Sequence, residues 1–297
     1  MKIILFLLIY FLIPDFLNAE INKNIFIMGS DGQSIILNSP AKKIISLAPS
    51  VTEILFDIGA GDSVIAVGAG SDFPKEAQRL PIVAGVRTIN LERIVSMNPD
   101  LVIAWNDGTS PLAIESLRRL NIPVLVIADS HLSDIPKLIQ ILGKVTKKNQ
   151  EADKQAQVFT QALNFYQTKY SHKNLKNRVF IQIGSLPLFT AGGDSIQSEI
   201  VNICGGENIF GDINRAASEV SIEAVIERNP DWIIGLEPFD RTIWTHWPEI
   251  EAVKNHQELE INPDLMASNG PRVIVAVRQI CQAMHEIPLS LPQGERR

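Results

Sequence analysis

Short apolar runs alternate along the chain with amphipathic stretches. The segment Lys43-Ile44-Ile45-Ser46-Leu47-Ala48 reads as a buried strand. Pro49-Ser50 ends it, and Ser50-Val51-Thr52-Glu53 has the form of a capping box opening a helix to Ile58. Gly59 and Gly61 stop that helix, and residues 64–67 form the next strand. Residues 91–97 read as a short helix, Asn98-Pro99-Asp100 as a turn, and residues 101–105 as a strand. After the loop Asn106-Asp107-Gly108, Pro111 suits the first turn of a helix to Leu120, and residues 124–128 make another strand. Such alternation predicts an α/β fold with a mainly parallel sheet covered on both faces.

From Ile135 to Tyr170 the pattern changes. Val158, Ala162 and Phe165 fall on one stripe, Gly143 is the single glycine, and no proline follows Pro136. The stretch predicts one long helix, with Gly143 the place for a bend. A strand at residues 178–183 then restarts the alternation, which runs to Gln282, and residues 289–297 read as a frayed tail.

Two stretches on either side of this helix echo each other. Residues 91–104 can be laid over residues 222–235, with Glu92 on Glu223, Asn98 on Asn229, Pro99 on Pro230 and Asp100 on Asp231. Each copy is a short helix, an Asn-Pro-Asp turn and a buried strand, which predicts two lobes of like topology. The chain divides accordingly into an N-terminal lobe (20–134), a linking helix (135–175) and a C-terminal lobe (176–297). Glu92 and Glu223 both fall in the first turn of their helices, where acidic side chains stabilise the helix terminus. Symmetric exposed carboxylates, one per lobe, are also suited to docking arginines of a partner.

The start of the chain adds a compartment. Lys2, an apolar run over residues 3–13, Pro14 and Leu17-Asn18-Ala19 describe a secretory signal peptide at residues 1–19, too short to span a bilayer. The remainder is therefore expected to be exported. A formal charge of −6 argues against nucleic acid as a partner. Two cysteines leave one disulfide, two free thiols or neither, although Cys204 and Cys281 can pair in an oxidising compartment. The sequence lacks GxxxxGK[ST], GxSxG, HExxH and CxxC, and its five histidines show no ligand spacing. An exported two-lobed chain of this kind points to binding in an interlobe cleft rather than to an enzyme.

Four segments carry a family resemblance: Ile44 to Glu53, Asn90 to Val95, Asn98 to Trp105, and Cys204-Gly205-Gly206-Glu207-Asn208-Ile209-Phe210. They resemble the periplasmic substrate-binding proteins of vitamin B12, haem and siderophore ABC importers. Trp105 and the Cys-Gly-Gly-Glu-Asn segment lean towards the cobalamin-binding branch. The resemblance implies the class III arrangement, two Rossmann-like lobes joined by one rigid helix with only small hinge motion. It implies that cobalamin is the transported ligand, with no catalytic cofactor, and that an ABC permease is the partner. Glu92 and Glu223 take the positions that dock onto permease arginines, and Cys204 and Cys281 those of a disulfide. Ser50, Trp105, Phe189 and Asp264 take ligand-contact positions.

The pocket departs from that pattern in several places. Gly70, Val86 and Ala217 stand where the cobalamin-binding branch has aromatics, and Leu265-Met266-Ala267-Ser268 lacks its aromatic and basic members. Trp244 and Trp247 are candidates for replacement faces. Haem is the nearest rival ligand. Tyr166 and Tyr170 lie on the linking helix rather than in a cleft loop, and His131 follows a strand end. A ferric siderophore would call on Arg87 or Arg272.

Overall fold

The structure is a computed structural model, described over residues 24–286 apart from 86–87, 107, 129, 171–176, 186, 237 and 267–268. The signal segment, Val86, Arg87 and the C-terminal tail lie outside the described residues.

The chain opens with an antiparallel hairpin, β1 (Ile25–Met28) and β2 (Ser34–Leu37). Ile27, Ile35 and Leu37 turn inwards while Phe26, Met28 and Ile36 stay exposed. With apolar residues on both faces, the period-two signal that marks a half-buried strand is lost.

The N-terminal lobe follows as β3 (Ile44–Ser46), α1 (Pro49–Asp57), β4 (Val64–Gly68), β5 (Ile82–Ala84), α2 (Leu91–Ser96), β6 (Leu101–Trp105), α3 (Pro111–Arg119) and β7 (Val124–Ile127). Its sheet is parallel throughout, in the order β5-β4-β3-β6-β7. Successive side chains enter different cores. Ile44, Leu101 and Ile103 join one apolar cluster, and Ile45, Val102 and Ala104 the other. β3 is central, so the chain winds outwards on one side and then returns to the other. This leaves a switch point between β3 and β6 at the carboxyl edge of the sheet.

The stretch expected as one helix is two, α4 (Asp134–Thr146) and α5 (Asn149–Tyr170). Lys147 adopts φ 60°, a left-handed cap that turns the chain back. Gly143 serves packing rather than bending: a Cβ there would lie 2.4 Å from the Ala152 Cβ, so its absence lets α4 and α5 close up. α4 packs with α1 and β1, and α5 alone leads on to the second lobe. The far end of α5 is anchored by Tyr170, which is buried and stacks on His285 at 4.5 Å.

The C-terminal lobe comprises β8 (Asn177–Ser185), β9 (Leu188–Ala191), α6 (Ile196–Ile203), β10 (Gly206–Asn208), β11 (Ala217–Glu219), α7 (Ile222–Arg228), β12 (Trp232–Leu236), α8 (Glu251–Lys254), β13 (Glu258–Ile261), α9 (Pro263–Met266) and α10 (Val273–Glu286). β8, β10, β12 and β13 pair in parallel, whereas β9 turns back as a hairpin and β11 pairs antiparallel to it. Cys204, at the end of α6, is disulfide-bonded to Cys281 of α10. The largest apolar cluster runs from Ile44 and Leu55 through Ala152 and Phe159 of α5 to Val277 and Ile280, so both lobes share one core.

The repeated Asn-Pro-Asp turn has a physical role in both lobes. Asn98 and Asn229 adopt positive φ, 49° and 38°, which asparagine tolerates better than most side chains. Asp100 Oδ2 accepts the backbone N–H groups of Lys42 and Lys43, at 2.8 and 3.0 Å. Asp231 Oδ2 accepts that of Arg178, at 2.7 Å. Each aspartate thus ties its turn to the start of the neighbouring central strand.

Candidate functional site

Loops at the carboxyl edge of the N-lobe sheet enclose a cavity of about 610 Å³. Leu47 and Pro49 reach it from the end of β3, Gly68 from β4, Ala84 from β5 and Trp105 from β6. A Cβ at Gly68 would meet the Leu47 carbonyl oxygen at 2.8 Å, so the two strand ends approach this closely only with glycine. Asn106, Thr109 and Thr88 add polar groups to the walls. Apolar faces with a few placed polar groups suit a small-molecule ligand.

Trp105 is held by the loop that follows it. Its backbone N–H donates to Thr109 Oγ1 at 3.1 Å, and its carbonyl accepts the Thr109 N–H at 2.8 Å. The indole lies across Gly108, where a Cβ would come within 2.2 Å of the ring. Its Nε1 is buried and has no hydrogen-bond partner among the described residues. A buried unpaired N–H costs the folded protein about 1–3 kcal/mol.

The other expected ligand contacts are not brought into this cavity. Ser50 is buried in the first turn of α1. Phe189 is half-buried on β9, beside the hairpin at the carboxyl end of β8. Asp264 is exposed in the first turn of α9, after the carboxyl end of β13. Both C-lobe residues therefore stand at the carboxyl edge of their own sheet, as Trp105 does in the N-lobe. Trp244 does not replace a missing face. It is fully buried against Phe180, and its Nε1 donates to Gln182 Oε1 at 2.8 Å. Trp247 packs partly buried against the same cluster.

Glu92 and Glu223 are exposed in the first turns of α2 and α7. Asn90 Oδ1 caps α2 by accepting from Arg93 N, and Ser221 Oγ caps α7 by accepting from Ala224 N. The Glu223 backbone N–H and the Ser221 hydroxyl hold the Glu223 carboxyl below its usual range. Glu92 lines a separate open recess that shares Ala84, Gly85, Thr88 and Ile89 with the cavity wall, and is not itself part of that wall.

Two acidic side chains, one from each lobe, cross the junction. Glu53 of α1 accepts the Arg272 backbone N–H at 3.0 Å and Nε–H at 2.7 Å. The expected capping box is therefore absent: Pro49 already occupies the first turn, and Glu53 reaches the other lobe. Arg272, a candidate siderophore ligand by sequence, is committed to Glu53 and to the Phe73 ring. From the C-lobe, Glu199 accepts the Leu132 N–H at 2.9 Å and lies 2.5 Å from His131 Nδ1. The bond to Glu199 raises the His131 pKa, with Asp134 and Asp194 adding smaller effects in the same direction. Sequence reasoning missed Glu199 entirely, because its partners lie far away in the chain.

A family model described as periplasmic binding protein matches residues 44–265. The chain belongs to the periplasmic binding protein family. Within it, a vitamin B12-binding protein of Yersinia pestis (strain Pestoides F) is 35% identical over 257 residues, covering 86% of this chain and 90% of the relative. The crystal structure of the periplasmic vitamin B12 binding protein BtuF of Vibrio cholerae superposes with a TM-score of 0.77 at 35% identity, covering 82% of this chain and 97% of that one. The periplasmic haem-binding protein RhuT of Roseiflexus sp. RS-1 shares the fold, with a TM-score of 0.74 at 20% identity over 83% of this chain and 98% of that one. The two solved relatives are periplasmic, and all three by name bind a small molecule, vitamin B12 or haem. Two α/β lobes linked by a helix, as expected from the repeat, are thus the architecture of the family.

Proposed function

We propose that this periplasmic binding protein captures cobalamin or a related corrinoid in the cleft between its lobes and delivers it to the permease of an ABC importer. The observation that carries the reading is the N-lobe cavity, whose wall combines Trp105, Leu47 and Pro49 with the polar groups of Asn106, Thr109 and Thr88. A flat macrocycle with amide arms offers an apolar face to the indole ring and hydrogen-bonding amides to the polar wall residues. The 35% identity to vitamin B12-binding proteins over most of both chains supports the same ligand. Phe189 and Asp264 complete the cleft from the C-lobe. Haem is less well supported: His131 is engaged by Glu199, and Tyr170 packs against His285.

Export by the segment at residues 1–19 brings the protein to the periplasm. Binding and release suffice for this role, without catalysis or a catalytic cofactor. Glu92 and Glu223 present the loaded protein to permease arginines, and their exposure at capped helix starts suits them to it. The test is growth on limiting cobalamin of cells that lack their own periplasmic cobalamin carrier and instead express this chain with its permease. Growth restored by the parent and abolished by Glu92→Lys/Glu223→Lys is expected. Growth unaltered by the double reversal refutes docking, and no growth with the parent refutes delivery.

A further inference from the structure

We propose that Glu53 and Arg272 fix the separation and orientation of the two lobes, and are therefore positioning residues for ligand capture. The inference deepens the reading of an interlobe binding cleft and rests on it. Glu53 belongs to the N-lobe and its side chain is only 2% exposed. Both of its oxygens are used on one residue 219 positions away, and one of the two donors is a main-chain N–H. The pair therefore grips the backbone of the C-lobe loop and not merely a mobile side chain. Gly270 comes so close that a Cβ there would lie 3.2 Å from Glu53 Oε1. From the other side, the Arg272 guanidinium stacks over Phe73 of the N-lobe, 4.1 Å from the ring centroid. The gripped loop joins α9, which carries Asp264, to α10.

Below the pair the lobes meet mainly through apolar side chains, with Asp57 and Gln155 on the same recess. Ile54 and Ile58 of α1 face Ile274 and Val275 of α10 and Phe159 of α5, around a recess of about 250 Å³. Apolar contacts are non-directional and tolerate sliding. A charge-assisted, two-point hydrogen bond does not, because its strength falls steeply with misalignment. A buried ion pair also contributes little net stability compared with apolar residues of the same volume. Its value here is geometric: it selects one relative setting of the lobes, and with it the distance from Trp105 to the C-lobe face of the cleft.

The test measures that setting without ligand. Spin labels at Arg119→Cys on α3 and Glu227→Cys on α7, both exposed and in different lobes, report the interlobe distance by pulsed electron resonance. The otherwise unaltered protein is expected to give one narrow distance. Arg272→Met and the double variant Glu53→Gln/Arg272→Met are expected to broaden it. The double variant removes the buried Glu53 charge together with its partner, and leaves Asp57, which Arg272 also attracts, the same in both variants. Kd for cyanocobalamin is expected to rise about tenfold in the double variant, and saturating ligand to narrow the distribution again. A folded double variant with a distribution as narrow as the parent's overturns the proposal, and so does loss of folding in Arg272→Met alongside such a double variant. Because the distance is read without ligand, failure of the parent to bind cobalamin counts against the ligand reading and not against the pin.

Discussion

Replacing Trp105 with Phe separates a ligand contact from a packing role, because the two give different patterns. The indole N–H is buried without a partner among the described residues, and an unpaired buried donor costs the folded protein about 1–3 kcal/mol. Phe deletes that donor but gives up part of the ring that covers Gly108, a loss of about 1–2 kcal/mol by apolar area. The two effects oppose each other, so the unfolding free energy of the empty protein should change by between a loss of about 1 and a gain of about 2 kcal/mol. On the proposed reading the ring turns on loading and its N–H gains a ligand acceptor. Losing one such hydrogen bond costs about 1–1.5 kcal/mol, which is about tenfold in Kd. Trp105→Ala removes the whole face and should weaken binding about a hundredfold or more. The assay pairs urea unfolding of the empty protein with calorimetric titration of cyanocobalamin. A Trp105→Phe protein that binds as tightly as the parent, or one that loses more than about 2 kcal/mol of stability with unchanged affinity, would assign Trp105 to packing.

Three further outcomes are expected. Glu92→Lys/Glu223→Lys should bind cyanocobalamin with an affinity within about twofold of the parent's, since both carboxylates are exposed; a larger loss in the titration would place them in the ligand site rather than the docking face. Cys204→Ser/Cys281→Ser opens a link across 77 positions, and chain entropy puts its loss at about 4–5 kcal/mol, with less in practice; an unchanged urea midpoint would contradict this. His131 has a raised pKa in the folded protein, so its contribution with Glu199 is complete below the unfolded value near 6.5 and fades as pH rises through the folded value. The side chain is 49% exposed, which limits the effect to about 1 kcal/mol or less. Asp134 and Asp194 face the same imidazole and share in the shift. Unfolding curves between pH 5.5 and 8.5 should therefore show a pH-dependent difference between parent and His131→Gln, and parallel curves would refute it.

The parts of the fold legible in the sequence are those set by local pattern. β6 lies where its apolar run places it, and the echo of residues 91–104 in 222–235 does correspond to matching helix–turn–strand units. The reason is local: a left-handed asparagine, a proline and an aspartate that accepts backbone N–H groups are needed in each lobe. The hairpin β1–β2 was illegible because its outer face is also apolar. The break between α4 and α5 was illegible because no glycine or proline marks it, and Lys147 takes the left-handed cap instead. Trp244 was illegible as core because an apolar cluster from distant segments surrounds it. Glu53 shows the same limit at the site. Its spacing after Ser50 mimics a cap, while its partner lies 219 positions away and only the folded chain brings it near.

The central claim is tested most directly by calorimetric titration of the protein, freed of residues 1–19, with cyanocobalamin, hemin and a ferric hydroxamate siderophore. A one-to-one isotherm with cyanocobalamin, tighter than with either competitor, is the predicted result. No binding of cobalamin together with saturable binding of hemin or the siderophore would contradict it.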